Sequence, residues 1–237
     1  MSLINDIVRM PNGLLAVAAG HFEDAQAVNL FGVNPVVGTT YETLWDYGGL
    51  YAYPSSAASL SAVSSSASDT MAVLISGLDA NYWPITEVVT LNGTSAVTTT
   101  QAFLRLNSAV ILAGENVGNI TITNDGTVLG YISIGKGLTQ ACNYTVPVGH
   151  SLYLTRIDLT SGTVNPNKYI TYRNVTKTHT GRCLRVAEAT WQTDEQSFDR
   201  QVPFKIGEKT DFQFEAQSSS GDNIVSIFVE AILVREN

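Results

Sequence analysis

Three histidines, two cysteines and 21 acidic residues are the side chains from which this chain could build a reactive site. His21-Phe22-Glu23-Asp24 is the one local cluster of metal-capable groups, and no second His or Cys stands nearby to complete a coordination shell, so it reads as a polar loop. His150 follows Gly149 in a turn, and His179 lies between threonines in an expected hairpin. Neither accompanies a nucleophile in a GxSxG-type setting. Cys142 and Cys183 are not part of a CxxC pair, which argues against zinc; one disulfide and two free thiols both remain open. Glycoside hydrolysis needs two carboxylates converging at roughly 5–9 Å, and the strand acids Glu87, Asp158, Glu188 and Glu230 show no motif for it. Gly135-Lys136-Gly137 is a turn, not a phosphate-binding loop. Asp125-Gly126 and Asp222-Asn223 lack the alternating acids of a calcium loop. No catalytic, cofactor or metal site is therefore expected, and the chain does not read as an enzyme.

Charge narrows the partners. The net charge is −8, and the 13 Lys and Arg are spread along 237 residues, whereas a nucleic-acid face needs clustered cations to neutralise phosphates. The densest basic run, Arg173 to Arg185 with Lys177, His179 and Arg182, reads as an exposed hairpin. Nucleic acid is not expected as a partner. No apolar run approaches the roughly 18 residues that a membrane helix needs, and the first residues carry no signal-peptide pattern. Charged residues make up only 14% of the chain, below the usual quarter. Thr, Ser, Asn and Gly take their place, as on a surface covered by neighbouring copies or partners.

The elements that would position these groups are almost all strands. Residues 3–19 hold the one plausible helix, interrupted by Pro11-Asn12-Gly13. Residues 20–56 read as irregular, punctuated by Asn34-Pro35, Gly48-Gly49 and Pro54 and rich in aromatics, so 1–56 is expected to form an irregular N-terminal arm. From residue 57 onward, strand follows strand. Asn92-Gly93 predicts a hairpin between 85–91 and 96–100, and Asn124-Asp125-Gly126 a second one. Strict alternation in 151–159 predicts Leu152, Leu154, Arg156 and Asp158 on one face and Tyr153, Thr155, Ile157 and Leu159 on the other. The fold class is all-β: an antiparallel β-sandwich, jelly-roll-like, as one large domain or two small sandwiches. Residues 57–138 form its β-rich first half and 139–237 a second-half sandwich.

Several stretches carry a family likeness. They are Trp45-Asp46-Tyr47-Gly48-Gly49 with Tyr53-Pro54 and the Ser-rich strand to Thr70, then Gly77 to Tyr82 with Thr86 to Thr94, Val146 to Gly149 before the Tyr153 strand, and Glu208-Lys209-Thr210-Asp211 with the closing strand to Val234. Over about residues 40–235 the chain resembles uncharacterised virion structural proteins of marine and freshwater tailed bacteriophages. The resemblance implies a virion component assembled in the host cytoplasm. Its first expression would be a capsid decoration (cement) protein, bound to capsid protein or other virion proteins, as a homo-oligomer with a trimer taken first. The alternatives are a tail, neck or fibre component, or a host-glycan-binding β-sandwich. For glycan or partner contact the candidates are Trp45, Tyr51, Tyr82 and Trp83, if they are exposed along a groove. The resemblance carries over no site residue, cofactor or metal.

Overall fold

Runs in which apolar residues recur at every second position bury one face of a strand. In the computed structural model such runs form sixteen strands and one short helix among the described residues, which are 13–162, 169–192, 195–221 and 223–236. Helix α1 (Gly13–Ala18) is followed by β1 (Ala25–Val37), β2 (Glu42–Thr43), β3 (Ala58–Ser64), β4 (Ala72–Leu78), β5 (Pro84–Thr90), β6 (Val97–Phe103), β7 (Arg105–Ile111) and β8 (Ile120–Asn124). The series continues with β9 (Thr127–Ile132), β10 (Asn143–Thr145), β11 (His150–Ser161), β12 (Ile170–Thr178), β13 (Cys183–Trp191), β14 (Glu195–Ile206), β15 (Thr210–Ser218) and β16 (Asn223–Arg235). All strand pairings among the described residues are antiparallel, so the all-β class expected from the sequence holds. The expected helix over 3–19 is realised at Gly13–Ala18, and its earlier part lies outside the described residues.

Two sheets enclose one core. The first runs β1-β16-β11-β14 and the second β10-β15-β12-β13, with β2 also pairing β15. Because β2 and β10 both lie against β15, together they occupy one strand position. Counting them as the second of eight, the sheet orders become 1-8-3-6 and 2-7-4-5. That is the double-sheet jelly roll. Between its sheets lie Leu152, Leu154, Phe212, Phe214, Val225 and Val229, all nearly inaccessible.

The remaining strands, β3 to β9, build a second sandwich inside the split second position of the jelly roll. Its sheets are β6-β3-β8-β9 and β5-β4-β7, packed around Leu60, Ile75, Phe103, Ile120 and Ile122. The chain leaves and re-enters the jelly roll at one place: Trp45 bridges Ala141, and the Cys142 amide donates to the Leu44 carbonyl at 2.8 Å.

Several sequence expectations change for local reasons. Residues 25–37 are not irregular but form a 13-residue strand, with Asn34-Pro35 absorbed in a register shift before Val37. Pro has no N–H to give a ladder, so it is tolerated at such an irregularity on an edge strand. Alternation in β11 breaks at Thr155, where the register shifts against both neighbours. A bulge resets which face a residue takes, and so Leu152, Leu154, Ile157 and Leu159 all reach the same core. Asn92-Gly93 does not join paired strands: β5 and β6 belong to opposite sheets. Its turn is instead pinned by Gly93 N–H to Asp69 O at 2.9 Å and Ser64 N–H to Gly93 O at 3.1 Å. Asn124-Asp125-Gly126 does close the β8–β9 hairpin, with positive φ at Asp125 (45°) and Gly126 (79°), as a two-residue primed turn requires. The β12–β13 hairpin also forms as expected, across Thr178 to Arg182.

Candidate functional site

The outer face of β15 carries Asp211, Gln213 and Glu215, alternate residues of one strand that are all buried. Polar side chains at period two normally face water. Here the inserted sandwich and the 41–54 segment cover them, so each needs a partner. Arg105, at the start of β7, supplies one: its Nε and Nη2 meet the two Asp211 oxygens at 2.7 and 2.9 Å, a forked pair between the two sandwiches. Arg105 Nη1 donates to the Pro54 and Leu104 carbonyls, and Thr145 Oγ donates to Asp211 at 2.7 Å. The rings of Tyr53 and Tyr82 lie 5.2 and 5.8 Å from the guanidinium carbon. Burial works against the Arg105 charge, but the hydrogen bonds and charge of Asp211 outweigh it and hold its pKa above the usual value. Further along β15, Glu215 pairs with Arg173 at 2.6 Å and accepts from Gln213 at 2.5 Å, while Arg173 stacks on Tyr41 at 3.7 Å.

The sequence-expected aromatics divide. Trp45 and Tyr51 are 2% and 5% exposed and belong to the core of the inserted sandwich, where their rings meet at 5.0 Å. The Trp45 indole N–H donates to Gly49 O and the Tyr51 hydroxyl to Leu129 O. Buried in this way, Trp45 lines no cleft among the described residues, while Tyr51 contributes only to the wall of a small cavity of about 220 Å³ beside Tyr53, Lys177 and Asp211. Tyr82 and Trp83 sit together at the β4–β5 turn, which Asp79 shapes by accepting from the Asn81 and Trp83 amides at 2.8 and 2.9 Å. Tyr82 has a positive φ of 68°. Its carbonyl accepts from the Val148 amide, so this turn is fastened to the jelly roll while Trp83 stays 54% exposed. Among the described residues the four aromatics do not share one groove: Trp45 and Tyr51 are buried, whereas Tyr82 and Trp83 stand at the β4–β5 turn.

Of the remaining candidates, Cys142 is buried and Cys183 exposed, and both are free thiols. Burial pushes the Cys142 thiol's pKa well up, away from reactivity. No group of three metal-capable side chains converges among the described residues. A cleft of about 550 Å³ runs between the two sandwiches, lined on one side by Glu23 to Leu30 of β1 and its approach, and on the other by residues of β4, β5 and β7. Sequence reasoning missed this cleft and the Arg105–Asp211 pair because both arise only where an inserted module meets the strands flanking its insertion.

No family model matches the chain, and no curated protein matches it either. Among solved structures it is similar to the VP2 subviral particle of infectious bursal disease virus, at 12% identity and a TM-score of 0.26, covering 90% of this chain and 72% of that one. The Gt strain of the same virus gives 11% and 0.24, covering 90% and 78%. These superpositions are too loose to define a shared fold.

Proposed function

We propose that this chain is a virion structural protein, most specifically a capsid decoration protein that stabilises the head through symmetric contacts. The observation that supports it is the sheet order itself: an eight-position jelly roll with a second sandwich set into one strand position. Double-sheet jelly rolls recur in viral shells, in lectins and in cupins, so fold alone leaves more than one role open. The low charge of the chain and its wealth of Thr, Ser and Asn suit extensive contact with neighbours. Its negative charge suits a place away from the packaged genome. In this role the chain carries out no catalytic step and needs no cofactor or metal. Its partners would be capsid protein or other virion proteins, with threefold self-association the first arrangement to test.

The test is sedimentation of particles from the infected source through a density gradient, followed by mass spectrometry. The chain should travel with intact heads and be stripped by mild chaotrope while the shell persists. Recovery with detached tails would move the assignment to the tail or neck, and absence from every particle fraction would overturn it.

A lectin-like role is the second reading, favoured by exposed Trp83 on a rigid turn. Binding to immobilised polysaccharide that Trp83→Ala abolishes would support it.

A further inference from the structure

The geometry points to β1 as a docking edge for a second copy of this chain, the two strands pairing antiparallel about a two-fold axis near Leu30. β1 is a terminal strand of its sheet. Its register with β16, together with Arg235 N–H donating to Asp24 O, turns the backbone groups of the even-numbered residues toward β16. The N–H and C=O groups of Ala27, Asn29, Phe31 and Val33 therefore point away from the sheet. Such a row is a template for another strand.

Native edges are usually blunted by lysine, inward-pointing charge, proline or a bulge. From Ala25 to Val37 the strand has no charged residue, and its sole proline, Pro35, stands at the register shift that ends the regular ladder. Phe31 and Val36 are 39% and 52% exposed. The edge has been left open over its regular length and closed only at its far end.

A second copy of β1 is the occupant that fits. With the axis at Leu30, Ala27 faces Val33 of the other copy and Asn29 faces Phe31, so all four open residues on each strand find partners. The acidic approach, Glu23 and Asp24, then lies opposite residues 36 and 37 and not opposite itself, which avoids like-charge contact. The cleft borders β1 from Ala25 only to Leu30. Under this symmetry, the half of β1 that has no cleft beside it, with Phe31 and Val36, enters the cleft of the other copy. A glycan in the cleft is less well served, because Tyr144, the one Phe, Tyr or Trp that lines it among the described residues, is buried. The inference does not rest on the virion reading, and a two-fold contact can sit within any larger symmetry that contains two-fold axes.

The test is light scattering of the full-length protein with edge substitutions on outward, exposed side chains. The parent should show an even multiple of 25.5 kDa, and Phe31→Lys and Ala27→Lys should each halve that mass with thermal melting unchanged. In a Cys183→Ser background, an Asn29→Cys chain mixed with a Phe31→Cys chain should cross-link under mild oxidation, while Ala27→Cys mixed with Phe31→Cys should not. A monomeric parent, or a mass indifferent to both lysines, would overturn the assignment. Equal cross-linking of the two cysteine mixtures would overturn the register. Retained mass in the lysine variants, with polysaccharide or an added peptide bound in the cleft, would transfer the edge to another occupant and also defeat it.

Discussion

Two aspartates of the inserted sandwich and its approach are tuned in opposite directions. For Asp46, burial pushes the carboxyl pKa up to about 6, against the lowering effect of hydrogen bonds from the Ser133 hydroxyl and amide. Its other oxygen, Oδ1, is buried without a partner. For Asp69, burial also raises the pKa, but the Ser64 hydroxyl and the Val117 and Gly118 amides outweigh it and hold the carboxyl below its ordinary value. Linkage gives the signs. A raised folded-state pKa means stability that is complete at low pH and is lost as pH rises through the window from 3.8 to about 6. A lowered one means stability that is present above the ordinary carboxylate range and lost as pH falls through the folded value. Urea midpoints measured between about pH 3 and pH 7 should accordingly respond in opposite senses: Asp46→Asn should remove a decline with rising pH, and Asp69→Asn should remove a loss toward acid. The Arg105–Asp211 pair behaves differently, because both groups are buried and forked together. Removing one partner strands the other, so Arg105→Ala should cost about 3–5 kcal/mol in denaturant unfolding. The double replacement Arg105→Met, Asp211→Leu should recover most of that, since apolar isosteres often match a buried ion pair.

At the level of elements, close approach is written in glycine. A Cβ on Gly32 of β1 would lie 2.1 Å from the Leu44 carbonyl oxygen and 2.7 Å from the Cys142 Cβ, against the second sheet of the jelly roll. Neither neighbour can yield easily, because Leu44 O already accepts from the Cys142 amide. Gly32→Ala should lower stability by about 1–3 kcal/mol, the usual cost of forcing atoms into a filled core, with the thermal midpoint as the readout. Strand existence was legible in the sequence because β-branched and aromatic residues recur at period two, and most expected strands from residue 57 onward are present within a few residues. Strand partners were not legible. The alternation in β11 looked unbroken, yet the bulge at Thr155 exchanged the faces of Ile157 and Leu159. The Asn92-Gly93 turn carried the strongest local hairpin signal and still became a crossover: β5 pairs with β4 and β6 with β3, and only the Glu87 side chain bonds the Thr100 and Gln101 amides from across the gap between sheets. Four aromatics looked equally available for contact, but Trp45 and Tyr51 stand beside the insertion point and are consumed by packing.

The whole molecule is one sandwich threaded through another. The strands that leave and re-enter the jelly roll are held together at Trp45 and Ala141, so the insert should be separable. Joining Trp45 to Ala141 through a short Gly-Asn-Gly turn, with Asp211→Leu to silence the carboxylate that Arg105 would have met, should leave a β-rich protein that unfolds cooperatively. Circular dichroism and a single denaturation step would verify it, and an insoluble or unfolded product would show that the jelly roll depends on its insert.

This threading also fixes an order of events during synthesis. β1 pairs with β16, Ala25 against Val234, almost the full length of the chain away. At ordinary translation speeds of about 5–20 residues per second, β1 emerges from the ribosome some tens of seconds before its partner exists. The inserted sandwich is contiguous in sequence and can close meanwhile. Throughout that interval a long uncharged strand waits with both edges open, next to identical strands on neighbouring ribosomes of the same message. The nascent protein is thus most exposed to wrong pairing at its beginning, and chaperone demand should peak before residue 225 is made.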